Sequence, residues 1–161
     1  FAYLPAIGFG FGSMALIGQN MGANNIERAR EAYRIALKYG VGAALVLGVC
    51  AALFSNPIIA VFTSDPAVVP NVQLYLLIVG LTYGFLAASL IVTNVFQAMG
   101  RSWSGFWLTV TRYIIITIPI TLLLAHAFGS MLGVWLALAI GNVATAILGV
   151  LWVRGLFRKM T

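Results

Sequence analysis

The 161-residue chain is 62% hydrophobic and 7% charged, with 9 Lys or Arg against 3 Asp or Glu and a formal net charge of +6. Soluble domains carry roughly 45–50% apolar and about 25% charged residues, so this composition excludes a soluble fold and places the chain in a lipid bilayer. The positive charge does not describe a nucleic-acid face, because the cations stand at the ends of apolar runs, where they orient a chain in a membrane.

The chain opens at Phe1 on an apolar run with no basic segment before it, so no signal peptide is read. The abrupt start is expected to continue an upstream segment. Apolar runs of about 20 residues each mark membrane helices, and spans are expected at roughly 1–18, 36–62, 71–98, 103–125 and 130–154. The fold class expected is all-α, a polytopic membrane bundle. Helices satisfy their own backbone in lipid, and the alternating polarity that a strand barrel needs is absent.

Between the first two spans lies a polar island, Gly18-Gln19-Asn20-Met21-Gly22-Ala23-Asn24-Asn25-Ile26-Glu27. Left-handed angles at Gly18 or Gly22, tolerated also by Asn20, are expected to stop the first helix here. Asn24 is expected to cap the next helix, with Glu27 closing the box at its third position. Arg28, Arg30, Arg34 and Lys38 follow on that helix. Ser55-Asn56-Pro57 then breaks the second span, and Ile58–Phe62 is expected to turn along the membrane surface.

In the third span Thr82, Ser89, Thr93 and Gln97 fall within about 80° of arc on an ideal helix, with Tyr83 and Asn94 at the edge. They are candidates for lining a substrate cavity, and helix-to-helix hydrogen bonding is the competing role. The fourth span places Thr109, Tyr113, Thr117 and Thr121 every four residues beside Pro119, where threonines can satisfy backbone freed by the proline. Arg112 is the only charge well inside a span. It stands roughly 14 Å along the helix from Trp103. Its candidate tasks are pairing with an acid outside this chain, bonding carbonyls at a helix contact, or snorkelling to the inner interface. In the last span Asn142 and Thr145 are polar candidates.

Small residues recur every fourth position at Gly40, Ala44, Gly48, Ala52 and at Gly133, Ala137, Gly141, Thr145, Gly149, a pattern that lets helix backbones approach closely in lipid. Eight of nine cations fall on one side of the expected topology, so the C-terminus is expected to be cytoplasmic and residue 1 outside. Cys50 is a lone thiol in an apolar run, and no metal site is expected. His126 is a single histidine beside an outer loop. With no acid inside a span, no catalytic residue is identified, and an enzyme is not expected.

Gly18-Gln19-Asn20-Met21-Gly22-Ala23 followed by Arg28-Ala29 resembles a loop of the multidrug and toxic compound extrusion (MATE) family, between the second and third helices of its C-terminal half. Gln97-Ala98-Met99-Gly100-Arg101-Ser102 is similar to the stretch after the fourth helix of that half, and Val61–Pro66 is a weaker match at an outer loop. The resemblance implies that the whole chain, residues 1–161, is a partial C-terminal six-helix bundle of a twelve-helix transporter. Its first helix and the N-terminal bundle would lie outside these residues, and that bundle would be a partner. It implies alternating access between two bundles, export of cationic or amphipathic compounds, and a coupling proton or sodium ion bound in the other half. No organic cofactor is implied. The location implied is the cell membrane, and Gly18, Gln19, Asn20, Gly22, Ala23 and Arg28 would hold a loop at the cytoplasmic gate. A lipid-linked precursor flippase of the same superfamily and a non-transporting membrane subunit remain alternatives.

Overall fold

A computed structural model describes residues 4–160, and within them the chain is helical with no strand. The helices are α1 (Leu4–Gly22), α2 (Ile26–Leu53) and α3 (Ser55–Phe62), then α4 (Val69–Ala98), α5 (Ser102–Phe128) and α6 (Met131–Lys159). The four helices α2, α4, α5 and α6 are long and apolar enough to cross a membrane. The first expected span begins outside the described residues and continues as α1. It packs on α2 and on the second half of α4, while α6 packs on α4 and α5.

Helix ends correct the expected boundaries. α1 runs through Gly18 to Gly22, and the left-handed residue that ends it is Asn24, at φ 55°. Asn25 N–H donates to Asn20 O at 2.8 Å and Asn24 N–H to Met21 O at 3.1 Å, the paired bonds of a Schellman ending. Asn25, not Asn24, is then the N-cap of α2, its Oδ1 accepting from Arg28 N–H at 3.2 Å. The expected box with Glu27 is therefore not formed, because Asn24 is already used to close the previous helix. The same device recurs where α4 ends. Gly100 has φ 69°, and Arg101 N–H reaches Phe96 O at 2.7 Å. Gly129 at φ 57° ends α5.

The second expected span divides as its sequence indicates. α2 starts at Ile26 and stops at Leu53, and α3 is a separate short helix whose Val61 and Phe62 stay exposed. Asn56 accepts a hydrogen bond from Gln73, tying α3 to α4.

Small residues set the helix spacing. Ala36, Gly40, Ala44 and Gly48 are buried on α2, and Gly133, Ala137, Gly141, Thr145 and Gly149 are buried on α6. A Cβ added at Gly133 would lie 2.5 Å from the Leu124 carbonyl, and one at Gly48 would be 2.1 Å from Gly80 O. These are backbone-to-backbone contacts, which no side chain can yield to. A larger cluster seals the end of the bundle where the cations stand: Ile17, Tyr33, Ile91, Val95, Phe96, Val153 and Phe157. Phe96 meets Trp152 edge-on at 5.1 Å, and Tyr33 stacks on Phe157 at 5.8 Å. Outward residues such as Leu122 and Leu123 are near 70% exposed.

Two measurements test this packing. Gly133→Ala is expected to lower the thermal unfolding midpoint, whereas Gly12→Ala, with nothing within 4 Å of its Cβ, is expected to leave it unchanged. Asn24→Ala is expected to cost about 1–2 kcal/mol by forcing a left-handed alanine, and Asn24→Gly to cost nothing comparable. Equal effects of the two Asn24 substitutions would contradict the Schellman assignment.

Candidate functional site

Midway along the bundle, side chains of three helices meet in one hydrogen-bonded chain. Arg112 Nη2 donates to Asn142 Oδ1 at 2.5 Å, and Asn142 Nδ2 donates to Thr82 Oγ1 at 2.8 Å. Thr82 Oγ1 in turn donates to Val79 O at 2.7 Å. The Arg112 guanidinium also lies 4.9 Å from the Tyr113 ring centre. Arg112 thus neither reaches an acid of this chain nor snorkels to the surface. It spends its charge on a neutral amide in the next helix.

Local backbone explains how it gets there. Thr111–Thr117 winds as a π-helix inside α5, with Ile118 N–H bonded to Tyr113 O. Pro119 lies two residues beyond, where its ring would collide with a carbonyl four residues earlier in a regular helix. The widened turn relieves that conflict, a role expected of the nearby threonines. Thr109 bonds back to Gly105 O at 3.0 Å, and Thr117 is instead buried against Gly141. A Cβ at Gly141 would come 2.4 Å from Thr117 Oγ1. That contact brings α6 close enough for Asn142, the next residue, to face Arg112.

The third-span stripe is divided rather than continuous. Thr82 belongs to the Arg112 chain, and Ser89 Oγ lies 3.4 Å from Thr145 Oγ1 on α6. Thr93 bonds back to Ser89 O at 2.9 Å. Ser89, Thr93, Thr109, Arg112, Tyr113 and Thr145 border a small cavity of about 160 Å³. Asn94 faces the other way, its Nδ2 pressed on Gly10 of α1 and buried without a hydrogen-bond partner among the described residues. Gln97 is exposed. The expected arc fails at its start because Gly80–Thr82 is a 3-10 turn, which advances about 120° per residue instead of 100°. Tyr83 leaves the stripe too, its hydroxyl 3.4 Å from that of Tyr75. Tyr75, missed in the sequence, was signalled by its place two turns before Tyr83 on one face. Trp135 meets Tyr75 edge-on at 5.0 Å, extending this aromatic group to α6.

The loop motif lies elsewhere. Gln19, Asn20, Ala23 and Arg28 border an open groove of about 1110 Å³ between α1 and α2. Asn20 Nδ2 bonds Leu16 O at 2.8 Å, while Gly18 lies in contact range of the Ala98 carbonyl. Gly22 is simply the last residue of α1. The motif shapes the α1–α2 turn and is not joined to the Arg112 chain.

The MatE family model matches residues 1–123. The chain belongs to the MatE family. Among MatE relatives, an FAD transporter of Shewanella oneidensis is 29% identical over 134 residues, covering 83% of this chain and 29% of the relative. The multidrug and toxin extrusion protein 1 of Danio rerio is 25% identical over 137 residues, covering 84% of this chain and 23% of the relative. The chain therefore spans about a quarter to a third of the length of these relatives. The crystal structure of MATE in complex with MaL6 superposes with a TM-score of 0.92 at 21% identity, covering 99% of this chain and 36% of that one. The MATE transporter ClbM in complex with Rb+ gives 0.90 at 28% identity, covering 99% and 38%.

The Arg112 chain can be tested as a unit. Asn142→Leu and Arg112→Met are each expected to destabilise the protein, and the double variant to lose less than their sum. The expected coupling is about 1.5–3 kcal/mol, the range for a hydrogen bond to a charged group. Unfolding midpoints of the four proteins in one detergent measure it, and strict additivity would dissolve the network.

Proposed function

We propose that this chain forms part of a secondary antiporter that exports cationic or amphipathic compounds in exchange for protons or sodium ions, by alternating access. The observation that carries the reading is the Arg112–Asn142–Thr82 chain, a charge kept inside a MatE membrane bundle at a π-helical turn. Holding a charge there is costly, and such residues mark transport pathways. A π-turn beside a proline is also a place where a helix bends. Asn94, with its unspent amide, together with Thr82, Tyr83, Ser89, Thr93, Gln97 and Asn142, supplies hydrogen-bonding groups for substrate, either directly or after α4 shifts.

The coupling ion is assigned to a bundle outside these residues, because Glu27, Glu31 and Asp65 all lie at helix ends or in a connection. The chain covers 36% of one solved structure, and the Gly18–Ala23 loop, which resembles one in the family's C-terminal half, supports a C-terminal bundle partnered by an N-terminal one. Lys and Arg placement supports a cytoplasmic C-terminus in a cell membrane. The FAD transporter among the relatives favours a second reading, in which Arg112 meets the charge of a larger anionic solute. A flippase of lipid-linked pyrophosphates would want several cavity cations, and Arg112 stands alone inside its span.

The test is efflux from cells expressing the complete polypeptide that carries these residues. A cationic dye is expected to leave only while a proton or sodium gradient stands. Arg112→Gln is expected to cut the rate about tenfold, as about 1.4 kcal/mol lost from the rate-limiting step would. Efflux indifferent to both gradients would end the antiport reading, and FAD export in place of dye export would favour the second.

A further inference from the structure

The ends of α2 and α6 that carry the basic residues enclose a pocket of about 420 Å³, remote from the Arg112 chain. We infer that it holds the phosphate-bearing headgroup of an anionic phospholipid. Arg30 and Arg34 enter from α2, and Arg154 and Arg158 from α6. No Asp or Glu lines the pocket, and Glu31 borders the groove on the α1 side of α2. Arg34 and Arg154 share the pocket with no Asp or Glu among its described lining residues, and their planar donor forks match phosphate oxygens.

A second feature points to a ligand. Tyr33 lines the same pocket, is 2% exposed, and its buried hydroxyl has no hydrogen-bond partner among the described residues. Its ring stacks on Phe157 at 5.8 Å. A buried donor of this kind is ordinarily satisfied, and a phosphate oxygen held by Arg34 and Arg154 would satisfy it. The frame is rigid on the other side, where Arg30 Nη2 donates to Phe157 O at 2.5 Å.

The neighbouring groove decides between a lipid and a free phosphate compound. Arg34, Leu37 and Arg154 also border a cleft of about 670 Å³ whose further walls include Val41, Phe85, Ile147 and Val150. It runs from the basic pocket along α2, α4 and α6. A phosphate head with an acyl chain fits both parts, whereas a soluble phosphate compound would leave the apolar cleft unused. Basic pockets at the cytoplasmic ends of membrane helices have this preference for anionic headgroups. The inference is independent of which solute is exported.

The experiment uses the complete polypeptide in detergent, titrated with phosphatidylglycerol or phosphatidylcholine and read by native mass spectrometry. Phosphatidylglycerol is expected to be retained at least about fivefold more than phosphatidylcholine. Arg34→Gln combined with Arg154→Gln is expected to abolish that preference, and Tyr33→Phe, which keeps the stacked ring, to reduce it severalfold. Arg101→Gln, at the end of α4, is expected to leave it intact. If the double variant does not fold, Tyr33→Phe decides the matter. Equal retention of the two lipids, or an unchanged preference in the pocket variants, would overturn the inference. Displacement of phosphatidylglycerol by inorganic phosphate at comparable concentration would overturn the lipid assignment in favour of a soluble phosphate compound.

Discussion

Everything in this bundle depends on helix backbones touching at glycine. Lipid tails are as apolar as leucine, so the hydrophobic effect gives little reason for two membrane helices to associate. Close van der Waals approach does, and it requires the absence of a Cβ. Gly48 meets the Gly80 carbonyl, Gly133 meets Leu124, and Gly141 meets Thr117. The last contact has the widest consequence. It fixes α6 against the π-helical part of α5 and thereby sets Asn142 within reach of both Arg112 and Thr82.

The chemistry of that chain follows from its members. A guanidinium carries only donors, so Arg112 needs an acceptor at its side. Its partner is an amide, which can both accept from Arg112 and donate to Thr82. An aspartate at position 142 could accept from Arg112 but, while ionised, would have nothing to donate to the threonine. The arrangement therefore links α4, α5 and α6 through one residue, beside the π-helical turn of the middle helix. The basic ends of α2 and α6 are a separate device. They converge on the Tyr33–Phe157 stack.

Much of this was legible in the residues. Helical membrane class, the break at Ser55-Asn56-Pro57, and the two small-residue stripes each reappear in the structure. Each is a property of one segment, read from composition or from a repeat of four. The family resemblance, carried by the Gly18–Ala23 loop, agrees with the MatE match over residues 1–123. Less legible were the turns. Asn24 and Asn25 are both good capping residues, and only the bonds back to Asn20 and Met21 show that the first closes α1 while the second opens α2. Arg112 was recognisable as unusual, but three partners were open to it.

The sequence by itself determined that this chain is a bundle of membrane helices, which faces carry small residues, and where its charges lie. Hydropathy and spacing are local, so they survive without knowledge of the neighbours. Only the tertiary structure decided that Ser89 and Thr93 border a cavity with Arg112 while Asn94 lies against Gly10, that Arg112 is held by Asn142, and that four arginines and Tyr33 line one pocket. Those outcomes depend on how far each helix is rotated about its axis and how closely it crosses the next. A 3-10 turn, a π-turn and a few glycine contacts set those rotations, and none of them is visible in a helical wheel drawn at constant pitch.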